Sequence, residues 1–412
     1  MRIGIAGHIA TDSIARYLAG DATGLPRGYY GAPLLGTLIG ALLERGHTVV
    51  AYTTSSDMPH GTRASASGER FKITYCAARP RAFRYSDGHW GRAADAFRHE
   101  RALLAQAMQD DAPDLVHAHW SYEFALAAIE SGLPHLVTCH DVPQVVLKHA
   151  SNLYRLVRYF MARRVLHRAQ HLTAVSPYLK KMVEGYARVP ISVVPNPLPV
   201  HPAHLDASAR RYDPARPRIA MVLNGWGALK NPQPALRAFA ALRRTIPAAE
   251  LSIMGSDYGP GGKAESWARA QGLTAGVHFM GQQPYSVLLD KLAESDLLLH
   301  PSLEETFGMS IAEAMSLGVP VVGGQSSGAV PWVIGEGGVV TDVASIEAIE
   351  LALVRLLADP DIHQRHSKAA RARAHDQFSA ARVADAYEEN YAITLRYSGM
   401  RRKVLAMPSC SV

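Results

Sequence analysis

Read for hydrophobic periodicity, the chain alternates short β-branched and aliphatic runs with longer stretches of helical spacing. That is the pattern of parallel strands joined by crossover helices. In the first half the predicted strands are Arg2–Ala6, Thr48–Thr53, Asp114–His119, His135–Cys139 and His171–Val175. An apolar helix, Leu34–Glu44, lies between the first two and stops at Gly46. A second series begins at Arg218–Leu223 and continues through Glu250–Met254, Val277–Met280, Asp296–His300 and Val319–Val322. Between the two series, the stretch from Pro195-Asn-Pro-Leu-Pro199 to Arg216-Pro217 is proline-rich and aperiodic, and reads as a linker. The chain ends in a helical segment, Ala381–Leu395, and a basic tail, Arg401-Arg-Lys403. The pattern predicts an α/β protein of two facing Rossmann-like domains with an interdomain cleft. The domains are expected at 1–200 and 206–384, with the final helix, about 385–412, packing back on the first. Ligands are then expected at the carboxyl ends of the strands.

Composition narrows the classes. The chain has 412 residues, 48% apolar and 19% charged, which excludes an intrinsically disordered protein. Its three cysteines (Cys76, Cys139, Cys410) are odd in number and far apart, against a disulfide framework or a zinc module. The opening segment turns polar too soon for a signal peptide, and no apolar run reaches about 18 residues. A cytoplasmic location is expected. Residues 1–200 carry 22 Lys/Arg and 15 Asp/Glu, and 201–412 carry 21 of each, so the whole +7 excess lies in the first half. Residues 142–192 alone hold nine basic side chains against Glu184, which points to a polyanionic surface or a phosphorylated ligand.

The most informative stretch is Pro301-Ser-Leu-Glu-Glu-Thr-Phe-Gly-Met-Ser-Ile-Ala-Glu-Ala-Met-Ser-Leu-Gly-Val-Pro320. It reads as a strand end, a loop through Gly308, and a helix from about Ser310 to Leu317 closed by Gly318. The loop brings Glu305 to the mouth of a sheet, and the helix start offers free N–H groups to an anion. Ser310-x-x-Glu313 is also the spacing of a capping box, so Glu313 reads equally as a simple helix cap.

This stretch resembles the retaining family-4 glycosyltransferases of GT-B fold, whose signature is E-x-F-G-x-x-x-x-E followed by A-M-x-x-G-x-P-V-V. The chain reads Glu305-Thr-Phe307-Gly308-Met-Ser-Ile-Ala-Glu313 and Ala314-Met315-Ser-Leu-Gly318-Val-Pro320-Val-Val322. Pro113-Asp-Leu-Val-His-Ala-His119, Thr138-Cys-His140, Ala174-Val-Ser176, Val194-Pro-Asn196 and Pro301-Ser302 agree in order. The resemblance implies that Glu305 contacts the donor sugar near its reacting carbon and that Glu313 binds the ribose hydroxyls. Backbone amides over Phe307, Gly308, Met309 and Ser310 would cradle sugar and diphosphate, with Asn224 and Gly225 on the facing loop. Lys230 would neutralise the departing diphosphate. Family members usually carry Arg six residues before that Lys. Here the position is Asn224, which supplies neither charge nor fork. His140 is assigned with Glu305 and Lys230 to catalysis, and Gly28, Gly31 and His119 to the acceptor side.

The resemblance thus implies transfer from a nucleotide-diphosphate sugar, UDP-linked first and GDP-linked second, to a hydroxyl on a lipid-linked or polysaccharide precursor. No metal and no cofactor beyond that co-substrate are expected. His117 and His119 share a strand face, but no third ligand with metal-site spacing accompanies them. Along Leu153–Arg168 an apolar face (Leu153, Leu156, Val157, Phe160, Met161) lies opposite five arginines. That is either a core helix with a solvated basic face or a peripheral contact with anionic membrane at its inner surface. Nothing points to nucleic acid. Two rival readings stand: a non-catalytic nucleotide-sugar-binding subunit, kept open by Asn224, or another GT-B enzyme such as a phosphorylase or epimerase.

Overall fold

The computed structural model describes residues 1–29, 33–86, 88–149, 151–210 and 212–405. The chain forms two units, Met1–Pro197 with Ala380–Val412, and Leu198–Ser379.

The first unit holds eight strands: β1 (Arg2–Ala6), β2 (Thr48–Ser55), β3 (Arg63–Ser67), β4 (Phe71–Ala77), β5 (Leu115–His119), β6 (His135–Cys139), β7 (His171–Ala174) and β8 (Ile191–Val193). They lie in the order β3-β4-β2-β1-β5-β6-β7-β8. All neighbours are parallel except β3, which runs antiparallel to β4 at the edge. Helices cover both faces of the parallel part, so central strands such as β5 and β6 are buried at every position. The hydrophobic pattern does not predict β3, β4 or β8. β3 is Arg-Ala-Ser-Ala-Ser at a solvent edge, β4 is interrupted by Lys72 and Thr74, and β8 has only three residues.

The second unit holds six parallel strands: β9 (Arg218–Val222), β10 (Glu250–Met254), β11 (Val277–Gly281), β12 (Leu297–His300), β13 (Val321–Gly324) and β14 (Gly338–Thr341). Their order, β11-β10-β9-β12-β13-β14, is the doubly wound arrangement in which the chain reverses direction across the sheet beside its first strand. β9 is therefore flanked by β10 and β12, and the loops leaving β9 and β12 emerge side by side. The core packs Ile219, Met221, Leu251, Ile253, Leu297 and Leu299 against Leu236, Phe239, Leu353 and Leu356.

The helix Ala380–Leu405 belongs to the first unit and runs beyond the predicted Leu395. It places Val383, Tyr387 and Tyr391 in that unit's core. Polar contacts fix its register: the Tyr391 hydroxyl meets His117 Nδ1 at 2.8 Å, and Thr394 Oγ1 meets His171 Nδ1 at 2.9 Å. Arg45 reaches Asp385 and His47 reaches Glu388, each at 2.6 Å. His117 Nε2 bonds Thr138 Oγ1 at 2.7 Å, so both nitrogens of this buried ring are engaged.

Tyr391→Phe removes a partner from a fully buried imidazole and is expected to destabilise the first unit by about 1–3 kcal/mol. Tyr391→Ala adds a cavity and is expected to cost about 3–5 kcal/mol. Melting temperatures of the full chain should fall in that order; a Phe variant as stable as wild type would contradict the role given to the hydroxyl.

Candidate active site

In the second unit, the β9 loop carries Asn224, Gly225 and Lys230, and the β12 loop carries Glu305, Phe307 and Gly308. Backbone and side-chain bonds tie the two together. Leu303 N–H donates to Leu229 O at 2.8 Å. Asn231, left-handed at φ 51°, starts the helix Pro232–Thr245 and donates through Nδ2 to Pro301 O at 3.2 Å and Val343 O at 2.8 Å. Lys230 is thereby held against Glu305, with Nζ 2.6 Å from Oε1. His300, the last residue of β12, brings Nε2 within 3.3 Å of the same oxygen. Its Nδ1 lies 3.4 Å from Ser310 Oγ. Burial alone would raise the Glu305 carboxyl; His300 and Lys230 more than offset it and hold it at about 2.

Glu313 lies in the opposite electrostatic setting. The helix Met309–Ser316 starts one residue earlier than its sequence pattern predicts, because Gly308 at φ 89° serves as the N-cap. Ser310 and Glu313 then fall inside the helix, and the capping-box reading of Glu313 does not hold: no side chain caps this helix. Instead Glu313 is buried and accepts a hydrogen bond from the Tyr285 hydroxyl at 3.2 Å. Burial raises its carboxyl to about 7, with Tyr285 opposing. Phe307 anchors the loop from inside, edge-on to Trp332 and Phe378 at 6.2 and 5.3 Å. Met309 and Ser310 are half-buried at the helix start.

Asn224 is exposed at the end of β9, where its Oδ1 accepts from Ser256 N–H at 3.3 Å. Its neighbour Gly225 takes φ 87° and bonds Ser256 O through its N–H at 3.2 Å. Trp226 N–H adds a bond to Asp257 at 3.0 Å. Asn224 and Gly225 thus join the β9 and β10 loops.

The first unit gathers a second constellation at the ends of β1, β5 and β6. His119 Nδ1 and His140 Nε2 share a hydrogen bond of 2.9 Å. Trp120, in the left-handed region at φ 64°, lies against His140 at 4.5 Å and against His8 at 4.8 Å. Burial, with His8 adding to it, lowers His140 to about 3, and burial keeps His117 and His119 well below the usual histidine range. All three rings are neutral near pH 7. His119 is 1% exposed, inside the unit beside His117, while His140 is at 9%. Gly28 takes φ 68° next to the β1 loop; a Cβ there would meet Ile9 O at 2.2 Å. Gly31 lies outside the described residues.

The sequence pattern did not single out Tyr285, Asn231, His300 or His8 as site residues. The signal available for His300 and His8 was position, since each follows the core run of a strand at a sheet switch point. Asn231 and Tyr285 carry no comparable signal.

Comparison with known proteins bears on both units. Residues 213–373 match the family described as Glycosyl transferases group 1, and residues 34–201 match Glycosyltransferase Family 4. These matches support a GT-B glycosyltransferase of family 4. N-acetyl-alpha-D-glucosaminyl L-malate synthase of Bacillus anthracis is 24% identical over 313 residues, covering 71% of this chain and 78% of its own. Glycogen synthase of Mycobacterium tuberculosis (strain CDC 1551 / Oshkosh) is 27% identical over 384 residues, covering 85% and 88%. The fold is similar to that of Anabaena Alr3699/HepE, solved in complex with UDP and glucose: TM-score 0.63, 16% identity, 95% of this chain and 99% of that one. The homologues support a transferase enzyme.

The Glu313 environment makes a stability prediction. Its folded carboxyl binds a proton more tightly than the unfolded one, near 4.5, so ionisation between about pH 4.5 and 7 penalises only the folded state. The free protein should lose stability as pH rises through that window. Glu313→Gln removes the penalty and should gain about 1–3 kcal/mol over wild type at pH 8 and little at pH 4.5. Melts at the two pH values decide it; an equal gain at both rejects the buried-carboxyl account.

Proposed function

We propose that this protein is a retaining glycosyltransferase that moves a sugar from a nucleotide-diphosphate sugar, UDP-linked first and GDP-linked second, to a hydroxyl acceptor. The observation that carries the reading is the Lys230–Glu305 pair at the sheet switch point of the second unit. In the free protein the two side chains neutralise each other. A diphosphate arriving at Lys230 and the helix start at Met309 takes over the ammonium, which frees Glu305 to accept hydrogen bonds from sugar hydroxyls. Glu313, ionised, accepts from the vicinal ribose diol. The UDP and glucose in complex with the Anabaena protein favour this donor class.

In the reaction, the bond from the anomeric carbon to the diphosphate oxygen breaks with oxocarbenium character. The acceptor oxygen bonds to the same face, and its proton passes to the departing diphosphate. Lys230 stabilises the charge that develops there, and no metal is assigned a part. His140 is neutral at physiological pH, so the part assigned to it is a hydrogen bond rather than a charge. Asn224 favours a second reading, a nucleotide-sugar-binding subunit without turnover, because the usual guanidinium is replaced by a neutral amide engaged with Ser256.

Thermal shifts against UDP, GDP, ADP and their glucose conjugates, without divalent metal, test donor binding; saturation at about 100 times Kd adds about 2.7 kcal/mol. One base should be preferred, and Lys230→Ala or Glu313→Ala should abolish the shift. Because Glu313 must lose a proton held to about 7, nucleotide affinity should weaken as pH falls below 7. Glu305→Ala should lower sugar transfer or donor hydrolysis by about 100-fold or more while nucleotide binding persists. Binding with no turnover in wild type selects the subunit reading, and no shift by any nucleotide rejects both.

The acceptor is proposed to be lipid-linked or part of a polysaccharide precursor, met at an anionic membrane. Met161, Ala162, Val165 and Leu166 pack the later half of the helix Leu153–Arg168 into the core, whereas Leu153, Leu156 and Phe160 stay exposed beside arginines. Among the described residues no helix is long and apolar enough to cross a membrane. Vesicles containing phosphatidylglycerol should float the protein and neutral vesicles should not, with flotation lost in Leu153→Glu/Phe160→Glu. Equal behaviour on both vesicle types removes the membrane contact.

A further inference from the structure

The basic excess of the first half is not spread evenly over its surface. Part of it converges on a cavity of about 440 Å³ at the carboxyl ends of β1, β2 and β4, lined by Arg92, Arg155 and Arg158 with His8, Tyr29 and Glu123 among the rest. Two carboxylates share the lining, and both are engaged. Glu100 is fully taken by Arg79, whose Nε and Nη2 donate to its two oxygens at 2.9 and 2.7 Å. Glu123 lies 3.5 Å from Arg158 Nη1. Close by, Asp141 accepts from the Tyr122 hydroxyl at 2.7 Å, and burial pushes its carboxyl up toward the neutral form.

The guanidinium groups remain under-used. Arg155 and Arg92 form no ion pair among the described residues; Arg92 Nη1 donates to Arg79 O at 3.2 Å. Nε of Arg92 and Nε of Arg158 are both buried without an acceptor. Arg158 is aimed by the face of Tyr122, 3.5 Å from its centroid, and by Tyr154, whose hydroxyl accepts at 3.3 Å. The cavity thus presents three guanidinium groups beside two carboxylates that are already paired, an excess of positive charge that suits an anion. Beside them His8, kept neutral chiefly by burial, lies tilted against Tyr29 at 4.2 Å and meets Phe124 edge-on at 5.0 Å. That surface suits a hydroxylated ring or chain rather than a second charge.

From this we infer that the acceptor is an anion: a polyhydroxylated molecule carrying a phosphate or carboxylate group, clamped by Arg92, Arg155 and Arg158, with its hydroxyls beside His8. The inference rests on the transferase reading for the word acceptor, and its geometry stands on the first unit alone. Guanidinium forks match both oxyanions, so the shared chemistry is a planar or tetrahedral oxyanion.

Calorimetric titration of the full chain with glucose 6-phosphate, glucuronate and glucose tests it. At least one anionic probe should bind about tenfold or more tightly than glucose, a difference of about 1.4 kcal/mol, and which one does so separates phosphate from carboxylate. Arg155→Gln, at a half-exposed position where folding is safe, should erase that preference. Arg163→Gln on the same helix, whose guanidinium covers Tyr186 at 4.2 Å, should keep it. Equal affinity for glucose, no binding of either anion at about 20 mM, or equal losses in the two variants overturns the inference. Nucleotide binding is read separately: anion binding lost by Arg155→Gln in a chain that binds no nucleotide keeps the site and rejects the transferase reading.

Discussion

A carboxylate that stays ionised inside a protein needs partners that favour its charge, and Glu305 has two directed at one oxygen, the Lys230 ammonium and the His300 ring. Burial works against its charge, and Lys230 and His300 overcome that opposition. Much of the second unit's architecture serves this contact. The reversal of strand order beside β9 lets the loops of β9 and β12 leave the sheet as neighbours. Asn231 cross-links them through Pro301, and Phe307 fixes the far end of the β12 loop in the core. Had β12 been placed elsewhere in the sheet, Lys230 and Glu305 would have no reason to meet.

The same short segment holds a second carboxylate under the opposite rule. Glu313, eight residues on, has no cation to offset its burial and rises to about 7. Glu305 is thus an ionised acceptor at any ordinary pH, whereas Glu313 becomes one near neutrality or when a ligand's hydroxyls stabilise its charge. Two glutamates in one motif acquire two chemical characters from their neighbours, Lys230 with His300 in one case and Tyr285 in the other.

Much of this was legible from the chain. Parallel α/β rhythm and the positions of Lys230 and Glu305 after strands follow from periodicity and turn chemistry. What escaped did so for physical reasons. β3 is a solvent-edge strand of alanine and serine, with no apolar alternation to betray it. The capping-box spacing of Ser310 and Glu313 was real, but Gly308 at φ 89° starts the helix earlier and moves both residues inside it. Asn231 and Tyr285 act through contacts 70 and 28 residues away in sequence, which no local pattern encodes. The neutral histidines are a burial effect: His117 and His119 could be placed on one strand face, but the helix that covers them begins at Ala380.

Charge placement connects the two units without reference to their arrangement. The second half of the chain carries as many acids as bases, and Asn224 is neutral at the end of β9. The first half keeps the whole excess, and three of its arginines line one cavity. A sequence that spent its positive charge only on solubility would have scattered it over exposed surface, where each guanidinium is satisfied by water. Burying Arg158 against Tyr122 carries a desolvation cost that solubility does not require. Glu123 offsets part of that cost, and an anionic ligand held by Arg92, Arg155 and Arg158 would offset more.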